Sequence, residues 1–361
     1  MKKILVVDDS ALMRKVMCDI INADSRFTVV EQAADGLAAL ELLKTKSYDA
    51  MVLDVNMPKM DGIQLLKEIK KEGIPIRVMM ASTVTKEGAK VTMDALELGA
   101  LDFVHKPDWS YRCKEDTFKN HMLDTLEAVC DSKLPGEVVT AKPAEIMATG
   151  RVGELIRRSS SKLTGERIVA IAVSTGGPKS LHNVIPLLPA DLNAPVVLVQ
   201  HMPEGFTASL ADRLDAISEV KVVEAKENEP LQKGCVYVAQ AGRHLNLVRN
   251  GRTTNVHYTD EPHREGVRPC ANYMYESLAG CNYDQVICVV MTGMGADGTE
   301  GIKHLKESGA KTYVITQEGE SCIVNGMPKA CLKAGLSDQQ VTLNKIAEEI
   351  ILHVGVKKDG C

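Results

Sequence analysis

Acidic residues in the first third of the chain lie where short apolar runs end. Asp8 and Asp9 follow the apolar residues 4–7, and Asp54 follows residues 50–53. If these runs are parallel strands, their carboxyl ends meet at one edge of a sheet. Crowded carboxylates repel one another unless a cation neutralises them, and Mg²⁺ prefers oxygen ligands. The spacing therefore predicts a magnesium site formed by these three residues.

A lysine is expected to face the same pocket. Lys106, in the pair Lys106-Pro107, follows the last apolar run of this part of the chain. A metal ion and an ammonium group together offset the charge on the oxygens of a transferring phosphoryl group. We therefore predict that Asp54 can accept a phosphoryl group. Acidic residues that only cap helices and end strands are the alternative, and they would not explain the lysine.

A serine in the second half stands at a predicted strand-to-helix turn. Ser174 follows the apolar residues 168–173 and precedes Pro178, and proline is favoured in the first turn of a helix. The residues of this turn allow two interpretations without catalysis. In the first, the serine only caps the helix. In the second, the turn is a phosphate-binding loop, but the spacing of that motif fails because residue 172 is Ala and Pro178 separates Gly177 from the lysine.

A histidine follows the next apolar run along the chain. His201 comes after residues 196–200, as Ser174 comes after the strand before it. Sequential parallel strands are usually neighbours, so His201 is expected beside the turn that carries Ser174. A lone histidine at a strand end is more often structural than catalytic, and only this geometry favours catalysis.

An aspartate in a glycine-rich loop completes a possible catalytic set. Residues 293–298 read G-x-G-x-x-G after a strand, with Glu318 about 20 residues further on, which fits a dinucleotide-binding loop. That function would place Asp297 beside a pyrophosphate, which is electrostatically unfavourable. In a Ser-His-Asp set, Asp297 would orient His201 instead. The chain order Ser-His-Asp and the missing G-x-S-x-G motif exclude an ordinary α/β-hydrolase esterase.

Hydrophobic periodicity predicts the elements that would position these residues. In residues 1–125, five apolar runs alternate with five amphipathic stretches, at 10–23, 36–45, 61–71, 86–98 and 113–130. This alternation is typical of a five-stranded, flavodoxin-like, doubly wound parallel sheet. Residues 126–166 are rich in Pro, Gly, Ser and Arg and are predicted to be a linker, with one short helix near 151–158. A second α/β domain, doubly wound and mainly parallel, is predicted for residues 167–355.

Composition excludes several classes of protein. The chain has 361 residues, a formal net charge of −5 and only 4% aromatic residues, which gives little for binding nucleic acid. No apolar run approaches the roughly 20 residues that a membrane span needs. The ten cysteines form no C-x-x-C pair, so a zinc site or redox dithiol is not expected. We predict a cytoplasmic protein without direct membrane insertion.

The first half resembles the receiver domain of bacterial response regulators over about residues 1–125. The similarity rests on Asp8-Asp9, Asp54, Met57-Pro58, Asp61-Gly62, Ser82 and Lys106-Pro107. The resemblance implies that Asp54 is phosphorylated and that Asp8, Asp9 and Asp54 bind Mg²⁺ with the carbonyl of Asn56. It also implies that Ser82 and Lys106 contact the phosphoryl oxygens and that Phe103 is the aromatic switch residue.

The second half resembles the catalytic domain of the chemotaxis protein-glutamate methylesterases over about residues 167–350. The matching segments are 172–178 (AVSTGGP), 200–202 (QHM), 239–245 (AQAGRHL), 291–298 (MTGMGADG), 317–322 (QEGESC) and 326–328 (GMP). The resemblance implies a serine hydrolase in which Ser174 attacks the ester, His201 is the base and Asp297 orients it. The backbone N–H groups of Thr175 and Met294 are the implied oxyanion donors, and no metal is needed.

Taken together, the two resemblances imply a phosphorylation-activated enzyme. Its substrates would be glutamate methyl esters on the cytoplasmic helices of chemoreceptors, with methanol as product and glutamine deamidation as a second activity. The phosphodonor would be a chemotaxis histidine kinase. A different class remains open on the residues alone: a signalling scaffold whose loop 293–298 binds a nucleotide without turnover.

The chain departs from the methylesterase pattern in one segment. Where that family usually reads His-Arg-Pro-Ser-Val-Asp, residues 267–272 read Val-Arg-Pro-Cys-Ala-Asn, after the unusual Pro-His-Arg-Glu of residues 262–265. These residues are expected beside the substrate cleft. Because Ser174, His201 and Asp297 are unchanged, the departures bear on the target or the rate more than on the reaction.

Overall fold

The computed structural model describes residues 1–83, 86–106, 116–134 and 165–357. The chain divides into two compact units, Met1–Val138 and Val139–Cys361. Most of the predicted linker, with its short helix near 151–158, lies outside the described residues, as does Pro107. The domain boundaries at 125 and 167 stay predictions, and the helix Asp116–Asp131 runs past the first of them. No helix in the described ranges is long and apolar enough to cross a membrane.

The first unit is a five-stranded parallel sheet in the order β2-β1-β3-β4-β5. Its strands are β1 (Lys2–Val7), β2 (Phe27–Ala33), β3 (Ala50–Asp54), β4 (Val78–Thr83) and β5 (Asp102–Lys106). Its helices are α1 (Ala11–Asn22), α2 (Gly36–Thr45), α3 (Gly62–Glu72), α4 (Lys86–Leu98) and α5 (Asp116–Asp131). The flavodoxin-like prediction is confirmed, and each predicted helix agrees to within a few residues.

Local sequence signals explain where these helices begin. Asp61 caps α3, where its side chain accepts from the N–H of Gln64 and the Gln64 side chain accepts from the N–H of Asp61, as in a capping box. Asp35 caps α2 by one hydrogen bond only, which its side chain accepts from the N–H of Ala38. Strand β3 is buried along its whole length, as expected for a central parallel strand covered on both faces.

The second unit contains a seven-stranded sheet in the order β14-β13-β12-β6-β7-β9-β8, and all its strand pairs are parallel. Its strands are β6 (Arg167–Val173), β7 (Val196–Gln200), β8 (Lys221–Glu224), β9 (Cys235–Val238), β12 (Gln285–Val290), β13 (Thr312–Gln317) and β14 (Gln339–Val341). Strands β10 (His244–Asn250) and β11 (Thr253–Thr259) form a separate antiparallel pair. The predicted doubly wound, mainly parallel domain is confirmed.

Helices of the second unit connect these strands. They are α6 (Gly177–Val184), α7 (Thr207–Ile217), α8 (Ala271–Ser277), α9 (Thr299–Glu307), α10 (Met327–Lys333) and α11 (Ile346–Val354). Pro178 lies in the first turn of α6, and α9 ends before Gly309, as the sequence predicts. Apolar side chains of β6, β7 and β12 pack with those of α8, α9 and the β10–β11 pair in one core.

Each sheet has a central point from which the strand order runs in opposite directions. In the first unit β1 lies between β2 and β3, and in the second β6 lies between β12 and β7. Ligands of doubly wound sheets bind outside the carboxyl ends of the strands at such a switch point. Functional groups are therefore expected directly after β1 and β3 in one unit, and directly after β6, β7 and β12 in the other.

Candidate functional site

Three predicted catalytic residues follow the three central strands of the second unit. Ser174 comes directly after β6, His201 directly after β7, and Asp297 lies in the loop between β12 and α9. Strand β6 pairs with both neighbours, so the last residues of all three strands share one edge. The topology thus brings the three residues to a single place, as the sequence predicts.

Backbone hydrogen bonds fix the turn that carries Ser174. The N–H of Ser174 donates to the carbonyl of Thr292 at 3.0 Å, and its own carbonyl accepts from the N–H of Gly177 at 2.7 Å. That carbonyl also accepts from Nε2 of Gln200 at 3.0 Å, and the same Nε2 donates to the carbonyl of His201 at 2.9 Å. Gln200 therefore ties the serine turn to the histidine strand.

Glycine is required where the loop after β12 passes Ser174. A Cβ on Gly293 would lie 2.7 Å from the Cβ of Ser174 and 2.4 Å from Sδ of Met327. Real side chains do not tolerate such approaches, so only glycine lets the two loops pack this closely. The side chain of Thr292 completes the junction by donating to the carbonyl of Thr175 at 3.0 Å.

His201 and Asp297 form a direct hydrogen bond. Nε2 of His201 lies 2.7 Å from Oδ2 of Asp297, and the Asp297 residue is only 2% exposed. In the described part of the chain, no hydrogen bond joins the Ser174 hydroxyl to the imidazole. Because Asp297 occupies Nε2, the nitrogen left to accept a proton is Nδ1. Catalytic hydrogen bonds often tighten only when substrate binds, so a serine that does not yet bond to the imidazole is compatible with catalysis.

Four donors surround the Asp297 carboxylate. Besides His201, it accepts from the N–H groups of Ala271 at 2.6 Å and Asn272 at 2.9 Å, and from Sγ of Cys270 at 3.0 Å. Burial opposes its ionisation, but the hydrogen bond and charge of His201 and these further donors prevail, so the pKa of Asp297 is lowered. Asp297 is thus a fixed anion, suited to hold the imidazole in one orientation and tautomer.

Two N–H groups at this edge are available to an oxyanion. Thr175 follows the serine, and Met294, which is 39% exposed, follows Gly293. Among the described residues, neither backbone N–H donates to a protein acceptor. Donors aimed at the position of a developing negative charge are the requirement of an oxyanion hole.

Several residues of this edge have roles that the sequence did not reveal. Gln200 and Thr292 lie in segments already compared with the methylesterase family, but nothing in their spacing indicates which carbonyl each contacts. Gln317 accepts the N–H of Thr292 through its side chain at 2.9 Å, and Cys270 contacts Asp297. Gln317 lies in a segment that matches the methylesterase family and Cys270 in the segment that departs from it, but the sequence does not indicate which group either side chain contacts.

The acidic pocket of the first unit forms as the sequence predicts, with Lys106 at its centre. Nζ of Lys106 lies 2.6 Å from Oδ2 of Asp8 and 2.6 Å from Oδ1 of Asp54, and all three residues are buried. Asp9 is exposed beside them. One oxygen from each of Asp8, Asp9 and Asp54 lies within 4.8 Å of the others.

Burial governs the ionisation of Asp54. It raises the pKa of Asp54, against the opposing effect of the Lys106 ammonium and with a further upward contribution from the Asp8 charge. The N–H of Val55 donates to Oδ1 at 2.8 Å. Asp54 is therefore a carboxylate that the protein stabilises incompletely, in contrast to Asp297.

The remaining predicted residues of the pocket occupy different depths. Ser82 and Phe103 are buried at 1% and 3% exposure, and the Ser82 hydroxyl accepts from the hydroxyl of Thr92 at 2.9 Å. Asn56 is exposed just after β3. Thr92, on α4, is a contact that the sequence did not indicate.

The donor set of this pocket fits Mg²⁺. Three carboxylates supply its oxygens, and the carbonyl of Asn56 lies two residues after Asp54 in the chain. Mg²⁺ prefers such hard oxygen ligands. The buried Oδ2 of Asp8 accepts no N–H or O–H donor among the described residues beyond the Lys106 ion pair. This edge therefore has unused acceptor capacity for a cation.

Both parts of the chain match families of known proteins. The family model for the CheB methylesterase matches residues 169–350, and that for the response regulator receiver domain matches residues 4–111. A protein-glutamate methylesterase/protein-glutamine glutaminase from Geobacillus kaustophilus is 41% identical over 358 residues, covering 98% of this chain and 99% of the relative. One of the same name from Bacillus subtilis is 39% identical over 97% of this chain and 98% of its own.

A solved structure is similar to the second unit. The crystal structure of the Thermotoga maritima CheB methylesterase catalytic domain is 40% identical in sequence and has a TM-score of 0.50. The match covers 52% of this chain and 98% of that domain. The relatives and the solved domain thus agree with both resemblances that the sequence indicates.

Proposed function

Because this chain belongs to the CheB methylesterase family and carries a response regulator receiver domain, we propose that phosphorylation of Asp54 increases hydrolysis of glutamate methyl esters at Ser174. The chain is a protein-glutamate methylesterase, as its family and relatives establish. The observation that carries the catalytic proposal is the His201–Asp297 hydrogen bond, which lies at the same strand edge as Ser174.

The acylation step uses the three strand-end side chains. Oγ of Ser174 attacks the ester carbonyl while Nδ1 of His201 takes the hydroxyl proton. The C–O bond to the methoxy group then breaks, and the imidazolium returns the proton so that methanol leaves. Water hydrolyses the acyl-enzyme by the same base, giving the glutamate carboxylate. Such base catalysis contributes typically about 10²–10⁴-fold.

Backbone donors stabilise the tetrahedral intermediate in this proposal. The N–H groups of Thr175 and Met294 would bind its oxyanion, each contributing about 10²–10³-fold. The same acyl-enzyme forms from a glutamine side chain, with ammonia as leaving group. Deamidation of receptor glutamines is therefore proposed as a second activity, in keeping with the names of the relatives.

Regulation is assigned to the acidic pocket. Asp8, Asp9 and Asp54 would hold Mg²⁺ with the carbonyl of Asn56, and a bound Mg²⁺ would offset the charge of the phosphoryl oxygens. An oxygen of Asp54 attacks the phosphorus, and the bond between phosphorus and the imidazole nitrogen of the donor histidine breaks, so that the imidazole leaves. The Asp54 carboxylate must be ionised to attack in this way.

The switch depends on the groups that the phosphoryl oxygens attract. Lys106 would leave its double contact with Asp8 and Asp54 to pair with the new oxygens, and Ser82 would turn its hydroxyl from Thr92 toward them. Phe103 lies on the neighbouring strand and would move into space that Ser82 vacates.

Partners and location are inferred from the proposed reaction. The substrates are proposed to be the cytoplasmic helices of chemoreceptors, and the phosphodonor a chemotaxis histidine kinase, which places the protein in the cytoplasm. Residues 1–125 are proposed as the receiver domain, 126–166 as the linker and 167–355 as the catalytic domain. Helix α5 of the first unit continues past residue 125 to Asp131, so the part of that linker outside the helix would begin after Asp131.

Methanol release from a methylated receptor fragment tests the proposal. The full chain is incubated with the fragment and Mg²⁺, with and without a small-molecule phosphodonor, beside an Asp54→Asn control. We expect both proteins to release methanol, and the phosphodonor to increase the rate of release only in the wild type, which retains Asp54. Absence of methanol under all conditions would refute the catalytic proposal, and an equal increase in the control would refute the regulatory one.

A further inference from the structure

A tight turn presents one charged residue beside the catalytic edge. Arg264 and Val267 pair across it, through N–H to carbonyl contacts of 3.1 and 3.4 Å. Glu265 and Gly266 lie between them with φ of +54° and +77°. Left-handed values at both central residues define a type I′ turn, which favours Asn, Asp or Gly. A glutamate there is costly, and such local cost is most often retained at functional sites.

Contacts of Asn272 fix where the Glu265 carboxylate lies. Nδ2 of Asn272 donates to Oε1 of Glu265 at 2.7 Å. Oδ1 of Asn272 is already used, because it accepts from the N–H groups of Gly298 at 3.0 Å and Gly301 at 2.7 Å. The buried amide therefore has only one orientation, with its donor side toward Glu265.

The same asparagine connects Glu265 to the catalytic edge. Its backbone N–H donates to Asp297, which in turn holds His201. Glu265 is exposed, whereas Asn272 beneath it is buried. Burial of part of its surface and the charge of Asp297 raise the pKa of Glu265, while Asn272, Arg264 and His201 act in the opposite direction. Glu265 is thus a solvent-facing carboxylate within electrostatic range of the catalytic pair.

The arginine next to Glu265 in the chain forms its ion pair with another residue. Nη1 of Arg264 lies 2.8 Å from Oε1 of Glu276, and the guanidinium stands 5.1 Å from the centroid of the Tyr273 ring. Arg264 therefore forms its contacts along α8 rather than with the Glu265 carboxylate. The negative charge of Glu265 remains available to a group that arrives with the substrate.

From this arrangement we propose that Glu265 is a specificity-determining residue, which favours peptide segments carrying a cationic side chain next to the methyl ester and disfavours anionic ones. The inference rests on the proposed methylesterase reaction at Ser174. It also accounts for Asn272, because an aspartate there, as in the usual family pattern, would place two carboxylates in contact. Two of the departures from that pattern, Glu265 and Asn272, are thus explained by one contact.

A purely structural role for Glu265 makes a different prediction. If its carboxylate only anchors the loop, the hydrogen bond to Asn272 is what matters and the charge is incidental. Glu265→Gln separates the two roles, because its amide oxygen can still accept from Nδ2 of Asn272 while the charge is lost. Exposed Glu261, in the same loop, provides the matched control Glu261→Gln.

The test compares three methyl-ester peptides that differ only in the residue beside the ester, which is Lys, Ser or Glu. Methanol release by the full chain gives kcat and KM for each. A solvent-exposed ion pair between Glu265 and the Lys peptide should raise affinity by about threefold, and repulsion of the Glu peptide should lower it by about threefold. The wild type should therefore prefer Lys over Glu by about tenfold, mainly in KM, and this preference should be weaker at high salt.

The Glu265→Gln protein should release methanol from the Ser peptide at the wild-type rate, with the Lys-to-Glu ratio reduced to about one. Glu261→Gln should keep the wild-type ratio. A ratio that survives in Glu265→Gln, or its absence in the wild type, overturns the inference while leaving the methylesterase proposal intact. No methanol from any peptide with the wild type would instead refute the proposed reaction, and this inference with it.

Discussion

Both units place an aspartate at the switch point of a doubly wound parallel sheet, yet the two carboxylates are stabilised very differently. Asp297 accepts from two backbone N–H groups, an imidazole and a thiol, and its pKa is lowered. Asp54 accepts from one backbone N–H and shares a single ammonium group with Asp8, and its pKa is raised. The same edge of a parallel sheet can thus lower the pKa of one aspartate and raise that of another.

That difference corresponds to the two kinds of chemistry. An orienting carboxylate must stay ionised and still, so every lone pair of Asp297 has a donor. A phosphoacceptor and metal ligand must keep its oxygens available, and few hydrogen-bond donors contact the Asp54 carboxylate. Donor supply, rather than strand topology, therefore decides what a strand-end aspartate can do.

The largest expected effect comes from removing the nucleophile. Ser174→Ala should reduce methanol release by about 10⁶-fold, since residues that act as a unit lose nearly all catalysis together. The substitution leaves the other edge intact, so transfer of phosphate to Asp54 should proceed at the wild-type rate. Radiolabelled phosphate incorporation and methanol release, measured on one preparation, check both. Substantial methanol release from this variant would refute the catalytic role of Ser174.

Removing the charge of Asp297 should have the next largest effect. In Asp297→Asn the amide group cannot accept from all the present donors, so His201 is expected to adopt the wrong tautomer or orientation. A loss of about 10⁴-fold in kcat is expected. Asp54→Asn is the matched control at the other edge, and its unstimulated kcat should be unchanged. Similar losses in both variants would contradict the division of roles between the two edges.

The same two variants should change stability in opposite directions. The folded state lowers the pKa of Asp297, so this group stabilises the fold above the ordinary aspartate pKa of about 3.9, and the contribution is lost as pH falls through the lowered value. Asp297→Asn should therefore destabilise the second unit at pH 7 by about 3 kcal/mol, as expected for breaking a buried, charged hydrogen-bond network.

Ionisation of Asp54 has the opposite effect on the stability of its unit. Its pKa is raised on folding, so the folded state binds more protons than the unfolded state, and stability decreases as pH rises through the window between the two pKa values. Asp54→Asn should stabilise the first unit at pH 7 by about 1 kcal/mol, and the gain should shrink in acid. Amide hydrogen exchange in β3 and β12, compared at several pH values, measures each unit separately. Stability changes of the same sign in Asp297→Asn and Asp54→Asn would contradict the opposite effects expected for the two carboxylates.

The smallest effect is expected at the weakest donor. The Cys270 thiol is one of four groups donating to Asp297, and a thiol is a weak donor. Cys270→Ala should therefore lower kcat by only about threefold, and Cys270→Ser should retain near wild-type activity because its hydroxyl can also donate. Buried Cys281, which contacts the carbonyl of Leu247, is the matched control, and Cys281→Ser should leave kcat unchanged. A loss above a hundredfold in Cys270→Ala would mean that this donor is not secondary.

The fold and the places of both sites could be predicted from the sequence for a definite physical reason. Parallel strands end at a common edge, so Asp8, Asp54, Ser174, His201 and Asp297 could be assigned to shared places once their strands were recognised. Periodicity is strong in buried parallel strands and amphipathic helices, and those elements were predicted closely.

Side-chain geometry lay beyond the sequence. The side chain of Gln200 bridges two carbonyls, and Asp297 contacts Nε2 rather than Nδ1 of His201, because of rotamers set by packing around them. The short strands β8, β9 and β14 and the β10–β11 pair were not predicted, since few residues carry their periodicity. The Glu265–Asn272 contact depends on a turn whose left-handed backbone a glutamate does not indicate.

One measurement tests most directly whether the acidic edge controls the catalytic edge. Initial rates of methanol release from a methylated receptor fragment are compared, with and without phosphodonor, for the wild type and Asp54→Asn in the presence of Mg²⁺. We expect a clear increase on phosphorylation in the wild type and none in Asp54→Asn, with equal unstimulated rates. Equal stimulation of both proteins, or wild-type phosphorylation without any change in rate, would show that phosphorylation of Asp54 does not regulate hydrolysis.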